Sequence, residues 1–232
     1  MVADTTKERI LDAAEELFAI QGHSAVAFRE IAEQSNLHIS QIVYHFGNKL
    51  NLLEAIVVRR ADMLNSDRIE RLKAYHGLYG YNHQDPEPII RAFVEPYLSR
   101  IASGDVHWRY FGAITGHIVW DPATRAIMER AYNSVAIQYI NAMCSAWPDV
   151  PQEAIHRGFQ FILALIFSVG ADDGRLESLS NGRFSLREYE RSGIHVIPFI
   201  VSGFRGLIRT DTSLPSLHAA PMEEVALVRR PS

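Results

Sequence analysis

The sequence predicts an all-α protein, and three observations carry the prediction. Apolar residues recur at helical spacing in nearly every segment, no stretch alternates with a period of two, and helix-start signals follow one another along the chain. At 232 residues and 47% apolar composition, the chain can bury one sizeable core and a small second one. No run reaches the roughly 18 uninterrupted apolar residues of a membrane span. The acidic-polar residues 1–9 lack the basic and apolar regions of a signal peptide, so a cytoplasmic protein with no membrane partner is expected. Cys144 is the only cysteine, which excludes an intramolecular disulfide and a Cys-based zinc site; on a helical pattern it reads as a small core residue. Neither a metal nor a cofactor is expected.

Taken in order, the first helix opens on Thr5 and Glu8, spaced as a capping box. It turns Ile10, Ala13, Ala14, Leu17 and Phe18 to one face and stops at Gly22. Two short helices follow. Phe28, Ile31, Ala32 and Ser35 share a face of the first; after Asn36, Leu37 and His38, residues 39–46 form the second, with Ile39, Ile42 and Phe46 to one side. Asn48 can cap a long helix from 49 towards 73 that carries Leu53, Ile56, Val57, Met63 and Leu64 inward. Residues 75–83, with Gly77 and Gly80 close together, read as an aromatic loop. Asp85 with Pro86 starts a helix to about Ile101, and Asp121 with Pro122 starts another to about Ala146. Residues 106–120 between them read as a less regular aromatic segment. Pro151 opens the most apolar helix, centred on 159–169 and closed by Asp172, Asp173 and Gly174. Ser185 and Glu188 are spaced as a second capping box, with Phe184 and Tyr189 as a hydrophobic staple, before a helix to about Arg209. Residues 210–232, with Pro215, Pro221 and Pro231 and no periodicity, read as a mobile tail.

Three short helices with a four-residue turn before the third satisfy the geometry of a helix-turn-helix, in which the third helix must stand clear of the body to enter a groove about 12 Å wide. Spacing alone does not decide it, because many helical domains contain such a corner. The residues add more. Ile10-Leu11-Asp12-Ala13-Ala14-Glu15-Glu16-Leu17-Phe18, Gly22, Arg29-Glu30-Ile31-Ala32, and Tyr44-His45-Phe46-Gly47-Asn48-Lys49 with Leu53 resemble, in order and spacing, the amino-terminal domain of the tetracycline-repressor (TetR) family. The resemblance implies a DNA-binding domain over 1–48 and a helical ligand-binding and dimerisation domain over 49–209. It departs from the family pattern in four places: Asn36 stands for the turn glycine, His38 and Ala27 for capping hydroxyls, and Val43 for a tyrosine. Asn is the next-best residue to Gly in a left-handed turn, whereas the lost caps cost about 0.5–2 kcal/mol each.

A helical wheel puts Ser40, Gln41 and Tyr44 opposite the buried side of the third helix. Gln41 can pair with adenine N6 and N7, Ser40 with either kind of base, and Tyr44 and His45 are better placed for phosphate, as His38 is at the cap. The alternatives are plain solvation for Ser40 and Gln41, and packing against the second helix for Tyr44. Arg29 and Lys49 are phosphate anchors or ordinary surface charges, Lys49 beside a helix amino end that also favours phosphate. The chain carries −4 overall, and residues 1–50 hold four basic against seven acidic side chains, net −3. Modest non-specific affinity and a shallow salt dependence are therefore expected.

Two heads about 34–36 Å apart require a homodimer. Gly158, Phe161, Ile162, Leu165 and Val169 on one late helix, and Val196, Ile200, Gly203, Phe204 and Leu207 on the other, offer wide apolar faces. The resemblance makes them a four-helix interface, although a monomer core would explain the same residues. The resemblance also puts an effector pocket on the middle helices, where Phe93, Tyr97, His107, Trp108, Phe111, His117, Trp120 and Tyr132 supply aromatic walls and a few polar tips. His107 and His117 are not a convincing metal pair, lying ten residues apart with no nearby carboxylate at ligand spacing. The expected protein is a repressor of a pseudo-palindromic double-stranded DNA operator, released by an aromatic or acyl small molecule. An activator or protein-bridging regulator fits the same residues. An enzyme built on His107, His117, Asp121 and Ser168 lacks any phosphate loop, nucleophile elbow or dinucleotide fingerprint.

Overall fold

A computed structural model describes residues 5–171 and 173–209, and the secondary structure of those residues is entirely helical. Three helices, α1 (Thr5–Gln21), α2 (Phe28–Ser35) and α3 (Ile39–Phe46), form the amino-terminal headpiece. The body comprises α4 (Lys49–Tyr79), α5 (Glu87–Ala102), α6 (Val106–Ile118), α7 (Arg125–Ala146), α8 (Gln152–Ala171), the short α9 (Arg175–Leu179) and α10 (Tyr189–Arg209). The stripe expected on α1 is buried. That helix ends where Gly22, at φ 82°, donates to the Phe18 carbonyl at 3.0 Å. Asn36 adopts the left-handed conformation (φ 52°, ψ 50°) the turn needs, and Asn48 Oδ1 accepts from the Asn51 amide at 2.9 Å to cap α4.

The body is arranged around α5, which meets α4, α6, α7, α8 and α10, while α1 of the headpiece rests on α6 and α4. Phe93 of α5 anchors the centre, its ring 4.8 Å from Phe159 and 5.0 Å from Tyr139. Small residues bring α6 against α8: a Cβ added at Gly116 would sit 2.4 Å from Ala171 Cβ. α8 has the length and apolar content of a membrane span, but Glu153 and Arg157 occupy its first turns and α6 and α10 pack against it.

Several boundaries differ from expectation. Residues 75–79 continue α4 and are not loop, because the exposed Gly77 costs only about 1 kcal/mol while Tyr75 is buried and packs on Tyr79. Residues 106–118 are regular helix: Asp105 caps it from the His107 amide at 2.9 Å, and Trp108, Phe111, Thr115 and Ile118 recur on its buried side. α7 starts at Arg125, not Asp121, since Asp121 caps a turn and the Thr124 hydroxyl donates to the Ile118 carbonyl. α10 starts at Tyr189, not Ser185. The Ser185 hydroxyl is bound to Glu177 of the unforeseen α9 and Phe184 is exposed, so neither the box nor the staple forms. Glu8 does not fold back as a cap but accepts from Arg59, and Met63 is exposed. The tail expected over 210–232 lies outside the described residues, as does Asp172.

Candidate functional site

α3 is held by two buried side chains, Ile42 and Phe46, and presents the rest of its surface outward. Ser40 is exposed and Tyr44 is 85% exposed, which removes the alternative that Tyr44 packs against α2; its ring meets that of the half-buried His45 edge-on at 5.2 Å. Ile39, expected inward, is exposed, and so is Val43. These two apolar side chains beside Tyr44 were missed by the sequence reading, although their spacing from Tyr44 on the wheel was available.

The missing capping hydroxyls are replaced from three residues downstream. Glu30 Oε2 accepts from the Ala27 amide at 2.8 Å, and Gln41 Oε1 accepts from the amide of the exposed His38 at 2.9 Å. Only this return half of a capping box exists, since neither Ala27 nor His38 makes a side-chain cap. The Gln41 oxygen is thus committed to its own helix, leaving the amide nitrogen as its free donor. Arg29 is exposed and bonded to Glu33 at 2.9 Å. Lys49 is neither a loose surface charge nor an open phosphate anchor. Its Nζ donates to the Ser24 and Val26 carbonyls at 2.7 and 2.8 Å, tying the loop before α2 to the start of α4.

Three acids of α1 are engaged by arginines of α4. Arg59 donates to Glu8 at 2.9 Å, Asp12 at 2.8 Å and Glu15 at 3.1 Å, and Arg60 grips both oxygens of Glu15 at 2.8 and 2.7 Å. The Glu15 side chain is fully buried, with His107 Nδ1 3.0 Å away. Two arginines beyond that window thus offset part of the net −3 of residues 1–50, while Glu33 of α2 stays exposed beside Arg29. His107 and Trp108 belong to this junction and not to a pocket: Trp108 lies between the guanidiniums of Arg60 and Arg100, 5.3 and 5.1 Å from its ring. Asp12, Glu15 and His107 converge as cation ligands would. Their carboxylates are already taken by the two guanidiniums.

A cavity of about 220 Å³ lies among α4, α5, α7 and α8, walled by Phe93, Trp120, Met128, Tyr132, Leu163 and Phe167, with Arg68 opening into it. Phe93, Trp120 and Tyr132 thus meet as expected, while Tyr97, Phe111 and His117 do not join them. Phe111 is core. Tyr97 packs its hydroxyl against Gly170, and burial pushes its phenol up to about 12. His117 is exposed in a separate cleft beside Ala19 and Ile20. Arg68 was missed, although a charged residue within the stripe Leu64, Leu72, Tyr75 was the available signal. The larger cleft of about 590 Å³ near Trp147 is open, and its Arg205 is already paired with Asp85 at 2.8 Å.

Most of the late apolar residues line one groove between α8 and α10, whose floor includes the buried Gly158, Ile162, Ile200 and Phe204. Gly158, Ile162, Val169, Ile200 and Phe204 are buried within the chain, Gly158 so closely that a Cβ would lie 2.7 Å from the Phe204 ring. Phe161, Leu165, Gly203 and Leu207 line the same groove, joined by Phe199, which sequence reasoning missed; Val196 is half-buried. Phe161 is 60% exposed, and Phe199 and Ile194 each 68%. Ile194 and Phe199 both lie off the buried α10 stripe of Ile197, Ile200, Val201 and Phe204, and apolar residues outside that stripe were the signal for them.

Residues 10–56 match the model of bacterial regulatory proteins of the tetR family, and residues 91–203 match a tetracyclin repressor-like C-terminal domain. The HTH-type transcriptional regulator SrpR of Pseudomonas putida is 35% identical over 65 residues, 28% of this chain and 30% of that protein, so the match spans under a third of the relative's length. Among solved structures, the fatty acid degradation regulator FadR from Bacillus halodurans superposes with a TM-score of 0.61 at 13% identity, covering 88% of this chain and 99% of that one. FadR from Bacillus subtilis in complex with stearoyl-CoA gives 0.56 at 17% identity, covering 84% and 98%. At these identities the likeness is one of fold.

Proposed function

The chain belongs to the tetracycline-repressor family and is a DNA-binding transcriptional regulator, and we propose that it acts in the cytoplasm as a homodimeric repressor, released from a pseudo-palindromic operator by a small, largely apolar effector. The observation that carries this reading is the outward apolar face of α8 and α10. Phe161 and Phe199 flank an apolar groove that a second copy would cover, and Ile194 is exposed further along α10. Such a dimer would carry two α3 helices, with Ser40, Val43, Tyr44 and the Gln41 amide nitrogen at base edges, and His38, His45 and Arg29 nearer phosphate.

Release follows by linkage: the effector must favour the DNA-incompetent spacing by about 10²–10⁴ in relative affinity. α4 is the lever, since it carries Leu53 and Ile56 under the headpiece, Arg59 and Arg60 at the junction and Arg68 at the cavity. The B. subtilis FadR complex with stearoyl-CoA supports an acyl effector, although a cavity of about 220 Å³ favours a far smaller molecule.

Sedimentation combined with selection from random-sequence DNA tests the proposal. The native chain is expected to sediment as a dimer and to select a two-fold site, and Phe161→Glu with Phe199→Glu is expected to give a folded monomer that loses it. A chain that sediments as a monomer while selecting a single half-site would refute the dimer, and one that selects no sequence would refute the operator.

A further inference from the structure

We propose that the cavity between α4 and α7 binds a small organic monocarboxylate, its head group on the Arg68 guanidinium and its apolar body against Phe93, Met128, Leu163 and Phe167. This rests on the effector-released reading above and names the chemical class of that effector.

Arg68 is only 4% exposed, yet among the described residues no carboxylate pairs with it. Its partners are neutral: Nε donates to the Phe93 carbonyl at 3.0 Å, and the guanidinium carbon lies 3.9 Å from the centre of the Phe93 ring. The fork makes no other hydrogen bond to a described residue, and Arg68 lines the cavity. Three phenols stand around it, Tyr97, Tyr132 and Tyr139, and burial raises the pKa of each, so they supply no negative charge at neutral pH. Burial pushes Arg68 itself down to about 10, which still leaves it charged. A buried cation without a counter-ion is strongly disfavoured, and a planar fork of N–H donors matches a carboxylate. The exposed rim residues Arg125 and Glu129 carry opposite charges and cancel, so one net positive charge faces the occupant. One buried guanidinium suits a monoanion better than a phosphate dianion. The volume falls below the roughly 300–1,000 Å³ of drug-sized pockets, which limits the body to a small aromatic or medium-length aliphatic group.

Calorimetric titration of the full chain with 3-phenylpropionate and octanoate, each beside its primary amide, tests this. The acids are expected to bind at least about tenfold more tightly than the amides, and in Arg68→Met acid and amide are expected to bind alike. Arg125→Gln, at the exposed rim, is expected to keep the preference for acid. Equal affinities in the native chain, no binding of either acid at millimolar concentration, or an acid preference that survives R68M would overturn the assignment. Should R68M fail to fold, Arg68→Gln carries the same expectation, and Ala164→Trp, which fills the cavity, is expected to remove binding of acid and amide together; retained binding in A164W would count against the site. Titrating the selected DNA alongside separates the two readings. An acid that binds and leaves the DNA complex intact sinks the effector role and keeps the site, whereas a chain that binds its DNA and no acid sinks the site and keeps the regulator.

Discussion

At the headpiece end of α4, Arg59 and Arg60 meet the carboxylates of Glu8, Asp12 and Glu15, whereas two turns further along the same helix Arg68 meets phenols and the ring of Phe93. Both sites bury a guanidinium, yet only the first neutralises it from within the chain. A satisfied pair resists being broken, because removing one partner strands the other in a medium of low dielectric. An unsatisfied cation resists burial and is relieved by any anion that can reach it. The first arrangement suits a permanent joint between headpiece and body, and the second suits a place that something else completes.

The sharpest way to break this contrast is Glu15→Gln. It leaves Arg60 and part of Arg59 without a carboxylate, and a loss of about 3–5 kcal/mol in urea-unfolding free energy is expected; a loss below about 1 kcal/mol would make the joint an ordinary surface pair. At the cavity end the phenols set an alkaline limit. The folded pKa of Tyr97, about 12, lies above its ordinary value of 10, so stability is fully present below pH 10 and is lost as pH rises towards 12. That group alone accounts for about 2–3 kcal/mol. Unfolding followed by phenolate absorbance should show this limb, and Tyr97→Phe should move it to higher pH; a limb unmoved by the substitution would assign it to other groups.

Arg68→Met should do little to the empty protein. Loss of the Phe93 carbonyl contact is offset by relief of a desolvated charge, so a change within about 1 kcal/mol is expected. A loss as large as that for Glu15→Gln would erase the difference between the two ends of α4. Tyr44→Ala, on a side chain with almost no packing, should shift stability by less than about 0.5 kcal/mol while weakening operator binding by roughly tenfold, as one lost contact implies. Thermal melts beside a gel shift read both, and unchanged DNA affinity would remove Tyr44 from the interface.

How much was legible follows the range of each interaction. Gly22, Asn36 and Asn48 act within four residues of themselves, so the headpiece turns and the start of α4 could be read from local pattern. The return caps from Glu30 and Gln41 were equally local and could have been found. The helical character of 106–118 was obscured because its aromatics read as irregular until the buried faces of α1 and α8 give them a side. Ser185 and Glu188 had the spacing of a helix start, but Glu177, eight residues earlier, engages the Ser185 hydroxyl first.

The sequence by itself determined an all-helical chain and a helix-turn-helix at its amino end with Asn36 in place of glycine, and it marked a late pair of apolar helices without deciding between a dimer face and a monomer core. These rest on contacts along the chain and on composition, which neighbours in sequence set. Only the tertiary structure decided where the charges go. His107 reaches Glu15 across 92 positions and Arg60 reaches it across 45, and Arg68 is left lining a cavity because no carboxylate of the described residues pairs with it. Whether a buried charge is paired depends on what lies opposite in space, and no local pattern encodes that.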